Sequence, residues 1–231
     1  MVNVDTVYQR VLAFANKEQR GYITPQEFNL FANQAQMEIF EQYFYDINQF
    51  GRLHGNDTEY SDMINLLNEK LSIFEVRLIN QGFTLGIFDL QNLDPVLYKL
   101  GTVIFDGIEV EGVNNDEYHY MQSSPLTRPT MSRPVYVKRV DGLNVYPQNI
   151  GIVDVSYIKR PDNVSWGYVV VNGKAMYDPD TNKTTNFELH QSEETGLVYK
   201  ILKYAGITMQ KDDIMRAGQG LDMAQVQQEK Q

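Results

Sequence analysis

The chain has 231 residues, enough for one large domain or two small ones, and 42% of them are hydrophobic. Thirty acidic residues against twenty basic ones give a net charge of -10, which argues against a protein that coats DNA or binds an anionic membrane. The absence of cysteine excludes a disulfide framework, a thiol nucleophile and a zinc-thiolate site.

Residues 1–72 predict a helical bundle. The chain opens without the basic segment and apolar run of a signal peptide, and no later run reaches the ~20 apolar residues of a membrane span. We therefore expect a chain that is made in a cytoplasm and has no membrane partner. Helices are predicted over residues 4–16, 24–50 and 58–72, because apolar residues recur there at helical spacing.

The long helix over residues 24–50 has a clear start signal and a broad apolar band. Thr24 can cap it, Pro25 suits its first position, and Glu27 can complete a capping box. Two apolar rows lie side by side along it, which is too broad for a helix on one flat surface. The helix must therefore be the axis of a bundle or face neighbouring copies of the chain. The candidate subunit-interface residues on these rows are Ile39, Phe40, Tyr43 and Phe44.

Residues 16–27, just before this helix, overlie the calcium-binding EF-hand loop at several positions. Asn16, Gly21 and Glu27 fall at the first position, the invariant glycine and the last ligand. Arg20 falls where an oxygen ligand is normally needed, and its positive charge opposes a cation. Because the capping box also needs Glu27, we predict no metal ligand here. A calcium-responsive binding module that uses this loop is the alternative function.

Residues 73–190 predict a β-rich antiparallel region, because β-branched and aromatic residues recur in short runs bounded by Gly, Pro, Asn and Asp. Hairpin turns are indicated at Asp141-Gly142 and Asn172-Gly173, since these residues tolerate positive φ. Strands are predicted over residues 74–79, 84–88, 103–105, 109–113, 135–140, 144–146, 153–159, 167–171 and 174–177.

Two segments interrupt the strands, and a helix follows them. Residues 114–123 can form a short helix, whereas three prolines exclude regular structure in 125–134, which should be an extended arm or loop. Pro129 and Pro134 in this Pro-rich arm are further candidate interface residues. Residues 191–231 predict a C-terminal helix followed by a polar tail. The predicted fold class is therefore α+β.

No pattern in the sequence predicts catalysis or a cofactor. His54, His119 and His190 are far apart and have no partner at metal-ligand spacing. The chain has no nucleophile elbow, phosphate-binding loop or dinucleotide fingerprint. A carbohydrate hydrolase would need two carboxylates brought together by the fold, and no pattern indicates such a pair. We expect no catalytic residue, metal ligand or cofactor, and a protein that is not an enzyme.

Two stretches of the chain resemble a family of phage proteins. Residues 133–161, R-P-V-Y-V-K-R-V-D-G-L-N-V-Y-P-Q-N-I-G-I-V-D-V-S-Y-I-K-R-P, resemble the β region of connector proteins of tailed bacteriophages. That region has a strand, a turn, a V-Y-P segment and a strand that ends in a motif of the type Y-I-K-x-P. Residues 23–36, I-T-P-Q-E-F-N-L-F-A-N-Q-A-Q, resemble the opening of structural proteins from crAss-like and related podoviruses.

This resemblance implies a head-to-tail connector, also called an adaptor or ring protein. Subunits of such connectors form a ring, commonly a dodecamer, below the portal and help to seal the DNA channel. The implied partners are further copies of the chain, the portal protein, other tail or ring proteins, and double-stranded DNA that passes without sequence-specific binding. The implied location is the neck and tail of the virion, assembled in the host bacterial cytoplasm, with a role in genome packaging and ejection. Arms and tails in such rings commonly reach neighbouring subunits.

Overall fold

The structure, a computed structural model, describes residues 1–17, 23–52, 58–82, 87–90, 93, 95–140, 142–180, 182–208, 220, 223 and 224. Within these residues it confirms the α+β class, with helices toward both ends of the chain and mainly antiparallel sheets between them. Most of the predicted polar tail lies outside the described residues.

The helices and strands of the described chain follow the predicted order. The helices are α1 (Val4–Lys17), α2 (Pro25–Arg52), α3 (Thr58–Ser72), α4 (Asn115–Ser123) and α5 (Glu194–Thr208). The strands are β1 (Glu75–Gly82), β2 (Ile87–Phe88), β3 (Leu97–Phe105), β4 (Ile108–Glu109), β5 (Glu111–Gly112), β6 (Val135–Arg139), β7 (Gly142–Tyr146), β8 (Ile152–Lys159), β9 (Tyr168–Val171) and β10 (Lys174–Tyr177). All five predicted helices are confirmed, and α3 has the predicted bounds.

Strand β3 shows where the strand prediction was wrong. It begins at Leu97, whereas the sequence predicted a strand only from Val103. Its pairing with β8 shifts register between Leu97 and Lys99 and again between Leu100 and Val103. These irregularities interrupt the alternation of inward and outward side chains on which strand prediction depends.

The chain forms two compact units whose boundary differs from the predicted one. Met1–Ile73 and Pro161–Gln231 make up the first unit, which holds α1, α2, α3 and α5. Phe74–Arg160 makes up the second, which holds β1 to β8 and α4. The chain thus returns to the helical unit at Pro161, and the hairpin of β9 and β10 belongs to that unit rather than to the β-rich one.

Helix α2 is the axis of the helical unit. It packs against α3 and α5, and α1 also packs against α5. Its side chains are buried on several sides, which explains why the sequence shows two adjacent apolar rows. The buried apolar residues of α2 include Phe28, Ala32, Ala35, Ile39, Phe40 and Tyr43.

The start of α2 is the predicted capping box. The Thr24 N–H and hydroxyl both donate to Glu27 Oε2, at 2.9 and 2.8 Å, and the Glu27 N–H donates back to Thr24 Oγ1 at 3.3 Å. The bonds satisfy backbone donors that a helix start leaves without intrahelical partners. The hydrogen bond from the Thr24 backbone, followed by that from its hydroxyl, lowers the pKa of the Glu27 carboxyl.

The β-rich unit consists of two four-stranded sheets. One has the order β1-β8-β3-β4 and is antiparallel, and the other has the order β2-β7-β6-β5, in which only the short β5–β6 pair is parallel. Both sheets contribute to one hydrophobic core, whose buried residues are Phe88, Leu90, Val103, Val110, Leu143, Val145, Ile150, Val153 and Val155. Antiparallel pairing of β6 with β7 confirms the predicted hairpin, although Asp141 itself lies outside the described residues.

The Pro-rich segment over residues 125–134 is a folded loop. The Arg128 N–H donates to the Ser124 carbonyl at 3.1 Å, next to the end of α4. Thr130 and Arg133 exchange two backbone hydrogen bonds of 3.2 and 3.1 Å, which close a tight turn. Of the two predicted forms, an extended arm or a loop, the described structure therefore has the loop.

Candidate functional site

The predicted interface residues on α2 are mostly covered within the single chain. Ile39, Phe40 and Tyr43 are buried, and Phe44 is half-buried with its ring edge against Phe40, at 5.2 Å between ring centres. Lys70 of α3 lies over the Tyr43 ring. Of these four side chains, Phe44 is therefore the one that stays partly exposed.

The two predicted interface prolines are also covered. Pro129 and Pro134 are both buried, although most of the loop that holds them is exposed. The exposed apolar side chain of the loop is Leu126, at 92%. If this loop contacts a neighbouring subunit, it therefore does so through residues other than the two buried prolines.

A row of amide side chains on α2 binds an extended backbone segment, which the sequence did not predict. Asn33 Oδ1 accepts the N–H of Val164 at 2.7 Å, and Asn33 Nδ2 donates to the carbonyl of Val164 at 2.9 Å. Asn29 makes the same pair of bonds to Trp166, at 2.8 and 3.4 Å. Gln36 donates to the Asp162 carbonyl at 2.8 Å. We call these three amides the amide ladder.

The segment held by the amide ladder behaves as one strand between two partners. Its even-numbered residues face α2, as the bonds of Val164 and Trp166 show. Its odd-numbered residues face the other way: Ser165 exchanges two backbone bonds with Thr185, and the carbonyl of Gly167 accepts the Asp178 N–H at 3.0 Å. Because backbone groups alternate along a strand, α2 takes the place of a neighbouring strand on the even-numbered edge.

Trp166 anchors the end of this segment. It is 2% exposed, its ring centre lies 4.3 Å from that of Tyr8, and its indole N–H donates to Asp5 Oδ1 at 2.9 Å. Its ring also stacks on Tyr168 and Tyr177, the residues at the base of the β9–β10 hairpin, each at 5.9 Å between centres. The amide ladder and Trp166 therefore fix the base of the hairpin within the helical unit.

The β9–β10 hairpin is short, regular and apolar. Asn172 and Gly173 have φ of 52° and 75°, as the predicted Asn-Gly turn requires. The flanking strands pair in register from Val171–Lys174 to Tyr168–Tyr177. Its apolar side chains are largely exposed: Val169 44%, Val170 62%, Val171 46% and Met176 58%. An apolar surface this exposed on a two-stranded hairpin is a candidate contact for another protein.

Helix α5 is held to α2 and α3 by charged groups. The Lys200 ammonium lies 2.9 Å from Glu38 Oε1, and the Tyr204 hydroxyl donates to Glu38 Oε2. Burial opposes ionisation of Glu38, but the hydrogen bonds from Tyr204 and Lys200 outweigh it and lower the pKa of this carboxyl. Lys70 and Glu193 form a second ion pair of 2.6 Å, with both side chains 9% exposed. These contacts fix the helical unit rather than form an open site.

A cavity of the β-rich unit with a volume of about 360 Å³ lies beside α4. Tyr118 and Tyr146 stack in its wall with ring centres 4.0 Å apart. The Gln122 side chain donates to the Tyr118 hydroxyl, and Arg128 donates to the Gln122 carbonyl at 3.3 Å. Burial raises the pKa of Tyr118. Because these polar groups bind one another, the cavity is explained by the packing of α4 on its sheet.

The described part of the candidate calcium loop includes its last ligand position, Glu27. Its residues 18–22 lie outside the described residues, but Glu27 is engaged by both donors of Thr24. Among the residues that the structure describes, no group of three or more His, Asp or Glu side chains is placed to hold a metal ion. His190 instead caps the turn before α5, where its Nδ1 accepts the Ser192 N–H at 3.3 Å.

No protein-family model matches the chain, and no curated protein matches it significantly. None of the helices in the described ranges combines the length and apolar character needed to cross a membrane.

Proposed function

We propose that this chain is a structural virion protein that forms an oligomeric ring at the head–tail junction of a tailed bacteriophage. The ring lies below the portal, lines or seals the DNA channel and docks the tail. Its partners are further copies of the chain, the portal protein, other tail or ring proteins, and DNA that passes without sequence-specific recognition.

The observation that carries this proposal is the exposed apolar hairpin of β9 and β10. Val170 and Met176 are 62% and 58% exposed, whereas the base of the hairpin is fixed through buried Trp166. A hairpin that is packed at its base and exposes apolar side chains beyond it suits a protein that works by binding other proteins. The resemblance of residues 23–36 and 133–161 to connector and phage structural proteins supports this kind of assembly over other protein complexes.

The charge of the chain supports the same proposal. A net charge of -10 suits a channel wall past which DNA slides, because an acidic surface repels phosphates instead of retaining them. The channel would therefore guide the DNA by repelling it from the wall, and it would need no site that binds bases or phosphates.

Light scattering on the purified chain, alone and with the portal protein of the same phage, tests the proposal. We expect a mass that rises to a multiple of the 26.7 kDa subunit and a complex with the portal. A chain that stays monomeric at every concentration and never binds the portal would contradict the proposal.

A further inference from the structure

The outer edge of β9 continues the edge that the amide ladder covers. Even-numbered residues of the preceding segment turn their backbone groups toward α2, up to Trp166 and Asn29. In a hairpin with a two-residue turn, Val171 and Lys174 face each other as a hydrogen-bonded pair, so Val169 also bonds inward. The backbone groups of Tyr168 and Val170 therefore point outward.

No further strand pairs with the outer edge of β9 in the part of the chain that the structure describes. The sheet there has two strands, in the order β10-β9. Proteins usually protect an open strand edge with charge, proline or a bulge. Strand β9, Tyr-Val-Val-Val, has none of these, whereas β10 begins with Lys174. The open edge is therefore the one that is suited to pairing with another chain.

The charge distribution indicates what occupies the edge. The chain has thirty acidic residues, but none lies between Asp162 and Asp178, and Lys174 is the one charged residue of that stretch. Two copies of a chain with net charge -10 repel each other over most of their surfaces. The hairpin carries no acidic residue, so it is a surface at which copies can meet without repulsion between carboxylates.

The size of the hairpin indicates the kind of contact. Each of its strands has four residues, whereas a stable protein interface buries about 1,200–2,000 Å². The hairpin is too small to hold two subunits together alone, so it suits one part of a larger interface. Neighbouring subunits of a closed ring, which repeat one heterologous contact, provide such an interface.

We infer that the open edge of β9, at Tyr168 and Val170, adds as a strand to a neighbouring copy of this chain, with the exposed side chains of Val169, Val170 and Val171 covered in the contact. The inference rests on the proposed ring and specifies the surface through which its subunits join. Backbone hydrogen bonds supply the pairing, and the valine side chains supply the buried apolar area.

A single introduced cysteine tests the contact, because the natural chain has none. Val170→Cys places a thiol on the proposed edge, and Leu30→Cys, at a position 71% exposed on α2, is the matched control. Maleimide labelling is timed on the dilute monomer and on assembled rings. We expect labelling at position 170 to slow at least tenfold on assembly and labelling at position 30 to stay unchanged. A rate at 170 that does not change, or equal protection at both positions, would overturn the inference.

A second variant separates this inference from the proposed function. Val170→Lys adds the charge that protects strand edges, and it should raise the concentration needed for rings at least tenfold, whereas Leu30→Lys should not. Rings that form equally well with Val170→Lys would overturn the edge contact and leave the connector proposal standing.

If no rings form with the portal, the connector proposal fails, and labelling of the concentrated chain alone then tests the edge contact. Protection at position 170 supports the edge contact, and the absence of protection overturns it. Protection at 170 that needs the portal but no second copy also overturns it.

Discussion

Asn33 binds both backbone polar groups of Val164, a residue 131 positions away, through the two ends of one amide. The distances of 2.7 and 2.9 Å are those of a regular strand pair. Together with Asn29, one turn earlier, Asn33 lets helix α2 take the place of a neighbouring strand. The even-numbered residues Val164 and Trp166 thereby satisfy their backbone groups through side chains of α2, without a neighbouring strand on that edge.

We predict that Asn33→Ala destabilises the helical unit by about 1–3 kcal/mol, because it leaves the N–H and carbonyl of Val164 without their partners. Gln34→Ala changes an exposed neighbour on the same helix and should alter the free energy of unfolding by less than about 0.5 kcal/mol. Urea unfolding followed by the fluorescence of Trp166, the single tryptophan, measures both. Equal stability of the two variants would show that the amide ladder contributes little.

The buried ion pair between α3 and the turn that precedes α5 gives a second prediction. Lys70→Met leaves Glu193, whose side chain is 9% exposed, as an unpaired buried charge. We expect a loss of about 3–5 kcal/mol. The double variant Lys70→Met with Glu193→Gln should recover part of this loss, since no charge then remains buried. If the two substitutions add independently in chemical unfolding, the pair is not coupled as its 2.6 Å distance implies.

Glu38 makes the stability of the helical unit depend on pH. Hydrogen bonds from Tyr204 and Lys200 hold its pKa in the folded protein below the ordinary value of 4.5. The folded state thus binds the proton less readily than the unfolded state, so the stabilisation is complete above about pH 4.5 and is lost as the pH falls through the lower, folded pKa. Tyr204→Phe should raise the folded pKa, and the contribution of Glu38 to stability should shrink.

Unfolding between pH 7 and 3, compared between the natural chain and Glu38→Gln, isolates this contribution. The difference in unfolding free energy between the two should decrease as the pH falls below about 4.5. Tyr199→Phe, on the same helix, is the control for Tyr204→Phe. A difference that is constant with pH would exclude a role for Glu38 ionisation.

Gly142 in the β-rich unit gives a prediction about packing. It has a φ of 145°, and a Cβ added there would lie 2.1 Å from the carbonyl oxygen of Phe88 on β2. Gly142→Ala should therefore separate β2 from β7 and cost about 3 kcal/mol. Gly151→Ala, where a Cβ meets nothing within 4 Å, is the matched control. Hydrogen exchange at Leu143 and Val145 measures both, and equal protection in the two variants would contradict the prediction.

Local signals in the sequence predicted much of the secondary structure. The capping box of Thr24 and Glu27 and the Asn172-Gly173 turn each depend on residues next to one another in the chain, so their chemistry is visible in the sequence. The sequence predicted a turn at Gly142 because glycine tolerates positive φ. The close approach of the Phe88 carbonyl, which also requires glycine there, involves a distant residue and is not visible in the local sequence.

The parts that sequence reasoning missed depend on distant pairing. Asn29, Asn33 and Gln36 recur at helical spacing and look like an ordinary polar face, because their backbone partners lie more than a hundred residues away. The burial of Phe40 and Tyr43 by the unit's own helices was likewise one of two open alternatives. The spacing of amides at i, i+4 and i+7, beside the apolar rows of α2, was the available signal for the amide ladder.

Negative-stain electron microscopy of the chain mixed with its portal protein tests the central claim most directly. We predict class averages with a ring of repeated subunits around a central channel, stacked on the portal. Val170→Lys should weaken the ring under the same conditions, whereas Leu30→Lys should not. Portal particles without an added layer, together with monomeric chain at saturating concentration, would contradict the account.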